Sequence, residues 1–425
     1  MTSTTIVSLK GRRVWDSRGR PTVEAEIVLE GGAVGRAIAP AGASTGTGEA
    51  VDLRDGGAAF GGLDVRKAVA NVDALIAPAL RGRDVLDQAG LDALLVALDG
   101  TPNRARLGGN ATTAVSMAAL HAAAAARGVP LWRHLAADGP VSLPVPEIQI
   151  FGGGAHAARR TDIQDFMVVC PAASSFAEAL DRTAEVYRAA GALMKARGRH
   201  QGVADEGGFW PAFDSNEDAL DTLVRSIEAA GFTPGDEVAI SLDIAASEFG
   251  REGRYRLALD GRDLDTDGML EMLGRWMEAY PIVSIEDPVA EDDPEGFRRF
   301  TAAWGDRCQV IGDDFLVTNA ARVAQAAATK ACNAVLIKPN QAGTVTETRA
   351  ALDAGKAAGF GTIVSARSGE TEDVTIAHMA VGWNAGQFKV GSFTRSERMA
   401  KWNEVLRIEE ALVGTAGLAR PFGRG

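Results

Sequence analysis

Three acidic side chains stand where predicted β-strands end. Asp243, Glu286 and Asp313 each close a short run of aliphatic and β-branched residues. Because the carboxyl ends of the parallel strands of a barrel meet at one face, we expect these carboxylates to lie within a few ångströms of each other. Like charges that close need a counter-cation, and oxygen ligands in this number suit Mg²⁺. The alternative is three separate acids that cap helices or pair with Lys and Arg side chains.

Two lysines end later runs of the same kind, Lys338 and Lys389. A bound cation lowers the pKa of a lysine that faces it, and such a lysine can act as a general base. The alternative for either lysine is an ion pair with the acids. For Lys389, binding of a substrate carboxylate is a further possibility.

The elements that would position these groups are typical of a βα barrel. Six short hydrophobic runs recur, each followed by a helical pattern: 238–243, 282–286, 309–313, 334–338, 362–365 and 387–389. Successive run ends lie about one strand–helix unit apart, which indicates a parallel sheet with enough units to close a barrel. Active sites of such barrels lie at the carboxyl ends of the strands, where the acids and lysines stand.

The first part of the chain has a different pattern. Alternating residues at 23–29 and 33–39 flank a Gly-Gly pair and predict an antiparallel hairpin. Helical patterns follow at 65–80 and 112–127.

Prolines between residues 130 and 146 mark a domain boundary. We therefore predict an α/β protein with an N-terminal α+β domain at 1–135 and a βα-barrel catalytic domain at 140–425.

The composition is that of a globular protein with an acidic balance. The 425 residues are 46% hydrophobic and 24% charged, with a net charge of −12. An acidic surface argues against binding to a nucleic-acid backbone, although a local Lys and Arg cluster can still serve one anionic substrate.

Cysteine usage and hydropathy exclude further classes of protein. The three cysteines form no C-x-x-C pair, so neither a zinc site nor a disulfide framework is indicated. The N-terminus lacks the apolar segment of a secretory signal, and the apolar run 111–126 is too short and too polar to span a bilayer. We expect a soluble, cytoplasmic protein with no membrane partner.

Ten short segments, in the same order, resemble those of the enolase family along nearly the whole chain. They are DSRG (16–19), GASTG (42–46), DEGGF (205–209), SEF (247–249), EDP (286–288), GDD (312–314), LIK (336–338), SGET (368–371), RSER (395–398) and LRIEE (406–410). The family fold, a small α+β domain before a modified βα (TIM-type) barrel, agrees with the pattern above.

The resemblance implies a role for each of the candidate site residues. Asp243, Glu286 and Asp313 match magnesium ligands, and Ser44, on a glycine-rich mobile loop, matches a ligand of a second magnesium. Lys338 matches the catalytic base, and Glu206 matches the acid that assists departure of the β-hydroxide.

Four further positions match the substrate-binding side of the family's site. Lys389 matches a residue that contacts the substrate carboxylate, and Arg367 with Ser368 matches the phosphate-binding pair. His156 matches a histidine of a closing loop, although a lone histidine is otherwise more often a satisfied surface or core residue.

Two departures from the family pattern fall around the phosphate and hydroxymethyl end of the substrate. Ala366 stands where the family has histidine, and Asp165 stands where it has glutamate, one methylene longer. We infer that metal-assisted proton abstraction is kept while the distal pocket is altered, as in a divergent paralogue rather than a housekeeping enolase.

The implied function is that of a magnesium-dependent hydro-lyase. It would abstract the α-proton of 2-phosphoglycerate, or of a close phosphorylated or phosphonylated carboxylic acid, and eliminate the β-hydroxyl to give an enolpyruvate such as phosphoenolpyruvate. Two alternatives remain: a carboxyphosphonoenolpyruvate synthase of phosphonate and phosphinate natural-product biosynthesis, and a non-catalytic enolase-like binding protein. The family resemblance also implies a homodimer or a higher homo-oligomer.

Overall fold

An antiparallel three-stranded sheet begins the chain in the computed structural model, which describes residues 3–137 and 139–422. Its strands are β1 (Ile6–Trp15), β2 (Pro21–Leu29) and β3 (Val34–Ile38). The turn between β2 and β3 contains Gly32 at φ +85°, a conformation that glycine adopts without strain. The predicted hairpin is confirmed, whereas β1 was not predicted.

Helices follow this sheet, and the longest of them packs on β2 and β3. They are α1 (Arg66–Asn71), a π-helical turn (Val72–Ile76), α2 (Ala77–Leu80), α3 (Gln88–Asp99), α4 (Gly109–Arg127) and α5 (Leu131–Ala136). The backbones of α4 and β3 come so close that a Cβ on Gly35 would lie 2.2 Å from the carbonyl oxygen of Ala118. Both predicted helical regions are confirmed, and the alanine-rich surface of α4 explains the close packing.

Eight strands then close a barrel. They are β4 (Val145–Gly152), β5 (Asp165–Val169), β6 (Ala239–Asp243), β10 (Ile282–Glu286), β11 (Gln309–Gly312), β12 (Ala334–Ile337), β13 (Gly361–Ser365) and β14 (Gly386–Ser392). Neighbouring strands are parallel except at β5, which runs antiparallel to both β4 and β6. The six predicted runs are confirmed as strands, but β4 and β5 were missed because Pro146 interrupts one and the other runs in reverse.

Helices and short strands surround the barrel. The helices are α6 (Phe176–Ala196), α7 (Asn216–Ala229), α8 (Thr266–Ala279), α9 (Pro294–Trp304), α10 (Ala320–Thr329), α11 (Pro339–Ala342), α12 (Val345–Ala357), α13 (Thr375–Gly382) and α14 (Ser396–Ala411). A separate antiparallel sheet contains β7 (Gly250–Arg251), β8 (Arg254–Leu257) and β9 (Arg262–Asp265). The remaining short turns of helix are Ala59–Gly62, Gly154–Ala157 and Ala246–Glu248.

Side-chain caps fix where several barrel helices begin. Ser175, Asp293 and Thr344 each accept a hydrogen bond from a backbone N–H of the first turn of α6, α9 and α12, respectively, which satisfies donors that the helix cannot. Within the described ranges, no helix is long and apolar enough to cross a membrane. The domain bounds 1–135 and 140–425 stay a prediction, and residues 1 and 425 lie outside the described part.

Reversal of β5 has a direct consequence for the barrel mouth. Its first residue, Asp165, pairs with Asp243, the last residue of β6. An acid at the start of an antiparallel strand therefore lies level with the acids that end the parallel strands.

A buried carboxyl group, Glu147 of β4, lies inside the barrel and yields a stability prediction. It accepts a hydrogen bond from Gln387, while its Oε2 has no hydrogen-bond partner within the described chain. Burial raises the pKa of Glu147 to about 7, against an opposing effect of Lys389. Ionisation of Glu147 therefore disfavours the folded state as the pH rises from about 4.5 to about 7.

We expect the nearly isosteric change Glu147→Gln to stabilise the protein at pH 8 by on the order of 2 kcal/mol. The gain should shrink below pH 5, where Glu147 is already protonated. Scanning calorimetry at the two pH values checks this, and an equal change of Tm at both would contradict it.

Candidate active site

One small cavity at the barrel mouth gathers most of the predicted site residues. Its lining consists of Ala43, Ser44, His156, Gln164, Asp165, Glu206, Asp243, Lys338, Ser365, Ala366, Arg367, Ser368, Lys389 and Val390. The two remaining predicted residues, Glu286 and Asp313, bond to the lysines of this lining. Strand ends from the whole barrel therefore converge as predicted.

Lys389, on β14, lies among three carboxylates. Its Nζ donates to Asp243 Oδ2 and to Glu286 Oε2, both at 2.8 Å, and lies 3.4 Å from Asp165 Oδ2. Burial alone would lower the pKa of Lys389, but Asp243 and Glu286 hold it well above its ordinary value. This ammonium group is therefore a fixed positive charge at the mouth.

Lys338, directly after β12, pairs with Asp313 directly after β11. The second oxygen of Asp313 accepts a hydrogen bond from Gln341 Nε2 at 2.9 Å, and the Lys338 backbone N–H donates to Thr318 Oγ1 at 2.9 Å. Burial acts to lower the pKa of Lys338, yet Asp313 raises it above its ordinary value. The shift is opposite to that expected beside a bound cation, because a carboxylate faces the amine here.

The three predicted metal ligands are each paired with a lysine ammonium group: Asp243 and Glu286 with Lys389, and Asp313 with Lys338. Among residues 3–137 and 139–422, the groups of acids and histidines with ligand atoms within 4.8 Å of one another are His156–Asp165–Glu206 and Asp287–Asp313–Asp314. The role of Asp243, Glu286 and Asp313 as one metal-binding set stays a prediction.

The donor set nevertheless fits a divalent cation. Glu286 is fully buried, and its Oε1 has no hydrogen-bond partner among the described residues. Burial, with Asp243 beside it, raises the pKa of Glu286 well above its ordinary value. Buried carboxylate oxygens left without donors are what a hard cation binds.

A second buried group faces the same cavity. His156 Nδ1 lies 3.1 Å from Asp165 Oδ1, and His156 Nε2 lies 3.7 Å from Glu206 Oε1. Burial alone would lower the pKa of His156, but Glu206 and Asp165 raise it to about 9. The imidazole is therefore a cation at neutral pH, and the carboxyl of Asp165 is also held by a hydrogen bond from Gln149.

The predicted phosphate-binding residues lie beside the glycine-rich segment. Arg367 Nη1 donates to Glu49 Oε2 at 2.9 Å, and its Nη2 donates to the carbonyl of Ser44 at 2.7 Å. Ser368 Oγ accepts from Arg18 Nη1 at 3.0 Å. The guanidinium of Arg367 thus holds the glycine-rich segment over the cavity.

The two departures from the family pattern both line the cavity. Ala366 is 7% exposed and follows β13, and its backbone N–H donates to the carbonyl of Lys389 at 2.9 Å. The shorter carboxylate of Asp165 reaches Gln149 and His156. Both positions also adjoin Lys389, since Asp165 Oδ2 lies 3.4 Å from its Nζ.

Four residues that organise this site had no role predicted from the sequence: Glu49, Gln149, Arg18 and Arg398. Arg398 is fully buried and donates to the backbone carbonyls of Arg367 and Ser368 at 2.7 and 2.6 Å. Both arginines stand in matched segments, DSRG and RSER, so those segments already held a signal. The roles of Glu49 and Gln149 depend on contacts that no local pattern indicates.

Comparison with known proteins agrees with this architecture. The family model described as "Enolase, N-terminal domain" matches residues 6–135, and that described as "Enolase, C-terminal TIM barrel domain" matches residues 140–420. The chain is 51% identical over 414 residues to "Enolase 1" of Desulfitobacterium hafniense (strain Y51), with 97% of this chain and 95% of that protein covered. The chain therefore belongs to the enolase family, and it is a carbon–oxygen lyase, a hydro-lyase of enolase type.

Proposed function

We propose that the enzyme interconverts 2-phosphoglycerate and phosphoenolpyruvate and that Mg²⁺ is its metal. The observation that carries the proposal is that a lysine pair and an acid line one cavity. Lys338 and Lys389 are each paired with carboxylates, and Glu206 lies beside the cationic His156. A base and an acid across one substrate are what an elimination needs.

The chemistry would run in two halves. Lys338 Nζ would first lose its own proton to solvent and then, as the neutral amine, take the proton from the carbon α to the carboxylate, and the electron pair of that C–H bond moves towards the carboxylate. The C–O bond at the β-carbon then breaks, and the hydroxide leaves as water with a proton from Glu206. Lys389 faces the growing charge on the carboxylate as a fixed cation.

Asp243, Glu286 and Asp313 would hold the metal, and Ser44 would ligate a second ion. A bound Mg²⁺ supplies positive charge that stabilises the enolised carboxylate. The unpartnered oxygen of Glu286 supports this donor set. Arg367 and Ser368 would bind the phosphate, which requires Arg367 to exchange part of its pairing with Glu49.

Removal and return of the metal tests the proposal. After treatment with a chelator, the enzyme should form no phosphoenolpyruvate from 2-phosphoglycerate, and added Mg²⁺ should restore the activity. Turnover that is unaffected by chelation would contradict the metal assignment. Absence of turnover in the presence of Mg²⁺ would contradict the substrate.

The second candidate function is that of a carboxyphosphonoenolpyruvate synthase. Ala366 supports it, since this small side chain lies in the cavity wall directly between Ser365 and Arg367. A methyl group there leaves more volume beside the phosphorus end of the substrate than an imidazole would. The 51% identity to a protein named Enolase 1 supports the first candidate instead.

The double change Ala366→His with Asp165→Glu separates these candidates. If the pocket serves a phosphonylated substrate, the change should shift the ratio of kcat/KM towards 2-phosphoglycerate by roughly tenfold. The two single variants show which position is responsible. An unchanged ratio would exclude remodelling of the pocket by these residues.

We also propose a homodimer or a larger homo-oligomer, which the family membership supports. Light scattering of the purified protein should give the mass of two or more chains. The mass of a single chain would contradict this proposal.

A further inference from the structure

The glycine-rich segment 41–49, here called the lid, covers the catalytic cavity from outside the barrel. Ala43 and Ser44 form part of the cavity lining. At its first end, Ala41 exchanges two backbone hydrogen bonds with Gly369, both 2.9 Å. Past its other end, the Ala50 N–H donates to the carbonyl of Gln341 at 2.8 Å. Both ends of the lid are therefore anchored to the barrel.

The tip of the lid is held at a third place, Thr47. Although Thr47 is exposed, its three polar groups are all engaged. Its N–H and its hydroxyl donate to the two oxygens of Glu291 at 2.8 and 2.7 Å, and its carbonyl accepts from Arg322 Nη2 at 2.8 Å. Two side chains from different parts of the barrel therefore grip one lid residue.

Glu291 and Arg322, the two side chains that bind Thr47, are themselves held by hydrogen bonds to the barrel domain. Glu291 lies between β10 and α9, and its backbone N–H donates to Ser247 Oγ at 2.9 Å. Arg322 lies in the first turn of α10, and its second guanidinium nitrogen donates to the carbonyl of Phe315 at 3.4 Å. Neither residue lines the catalytic cavity; both line a groove of about 800 Å³ outside the lid. Both residues therefore contact the lid from outside the catalytic cavity.

The lid backbone is in close contact with the barrel domain on either side of Thr47. A Cβ on Gly46 would lie 2.6 Å from Val317 Cγ1 and 2.8 Å from the Asp314 Cα. Gly48 has φ +102°, a conformation that other residues rarely adopt. The closed position therefore depends on glycine on both sides of Thr47, and Thr47 supplies the polar contacts.

We propose that Glu291 and Arg322 are positioning residues that latch the lid closed through Thr47. The latch touches no reacting atom, and its effect on turnover rests on the proposed function. When the latch is weakened, the lid spends more time open, so substrate binds more weakly while the chemical groups stay intact.

Hydrogen–deuterium exchange of the full-length enzyme tests the latch directly. In Glu291→Ala, the peptide that covers residues 41–50 should exchange at least about tenfold faster than in the wild type. Glu291→Gln should restore much of the protection, since an amide oxygen can still accept from the Thr47 N–H. Glu295→Ala is the matched control, because Glu295 lines the same groove but pairs with Arg298 instead of the lid.

Steady-state kinetics gives the second readout. We expect KM to rise about fivefold or more in Glu291→Ala with kcat unchanged or higher, and Glu295→Ala to resemble the wild type. Equal lid exchange in Glu291→Ala and Glu295→Ala, with strands of the barrel still protected, would overturn the latch. Faster lid exchange in an enzyme whose wild type does not turn over 2-phosphoglycerate would leave the latch standing and overturn the proposed function.

Discussion

Replacing Lys338 by methionine should lower both α-proton exchange and product formation by about 10³-fold or more, the upper range for loss of a general base. Methionine keeps much of the length of the side chain but offers no nitrogen to take the proton. Lys389 is less suited to replace it, because two carboxylates hold the Lys389 ammonium, whereas one holds that of Lys338. NMR of the substrate in D₂O measures exchange and elimination in one sample.

A stability measurement and a control variant should accompany this experiment. Without the Lys338 ammonium, the buried Asp313 keeps only its hydrogen bond from Gln341 among these two contacts. Because this loss can lower stability, Tm should be measured together with activity. Lys356→Met is the matched control, since Lys356 stands on the outer helix α12 and donates to the carbonyl of Trp383 at 2.5 Å. Exchange at the wild-type rate in Lys338→Met would show that another group takes the proton.

Replacing Glu206 by glutamine should separate the two halves of the reaction. Elimination should fall by about 10²-fold or more, because an amide has no acidic proton to give to the leaving hydroxide. Exchange of the α-proton should continue, since Lys338 and its acids are unchanged. The signature is a ratio of exchange to product that rises by about the same factor as elimination falls.

Glu404→Gln provides the comparison for this variant, because Glu404 lies on α14 beside Arg407 and outside the cavity lining. Equal loss of exchange and elimination in Glu206→Gln would mean that Glu206 shapes the site and does not serve as the acid. If Glu206→Gln still eliminated hydroxide at the wild-type rate, the acid would instead be His156, the neighbouring cation.

The fold could largely be predicted because most barrel strands are buried on both sides. Such strands appear in the sequence as short hydrophobic runs, as at Ala334–Ile337, where every residue is buried. The strand Val145–Gly152 is equally buried, yet Pro146 makes it look like a boundary. The reversal of Asp165–Val169 depends on pairing with two other strands, which no local pattern encodes.

The gathering of the candidate residues at one cavity was predictable, but their pairing was not. Because Asp243, Glu286 and Lys389 stand in predicted barrel strands, they were correctly predicted to meet at one mouth of the barrel. Lys389 lies between the two acids because its long side chain extends across the barrel. The spacing of residues along the chain does not predict such a contact. The pairing of Arg367 with Glu49 joins residues 318 positions apart, so only the assembled fold brings them together.

The most direct test of the central claim is NMR of the purified enzyme with Mg²⁺ and 2-phosphoglycerate in D₂O. We predict that the α-proton exchanges with solvent and that phosphoenolpyruvate accumulates in the same sample. Exchange without phosphoenolpyruvate would contradict the claim: Lys338 and its acids would be working, but the side of the pocket with Ala366 and Asp165 would serve a different reaction.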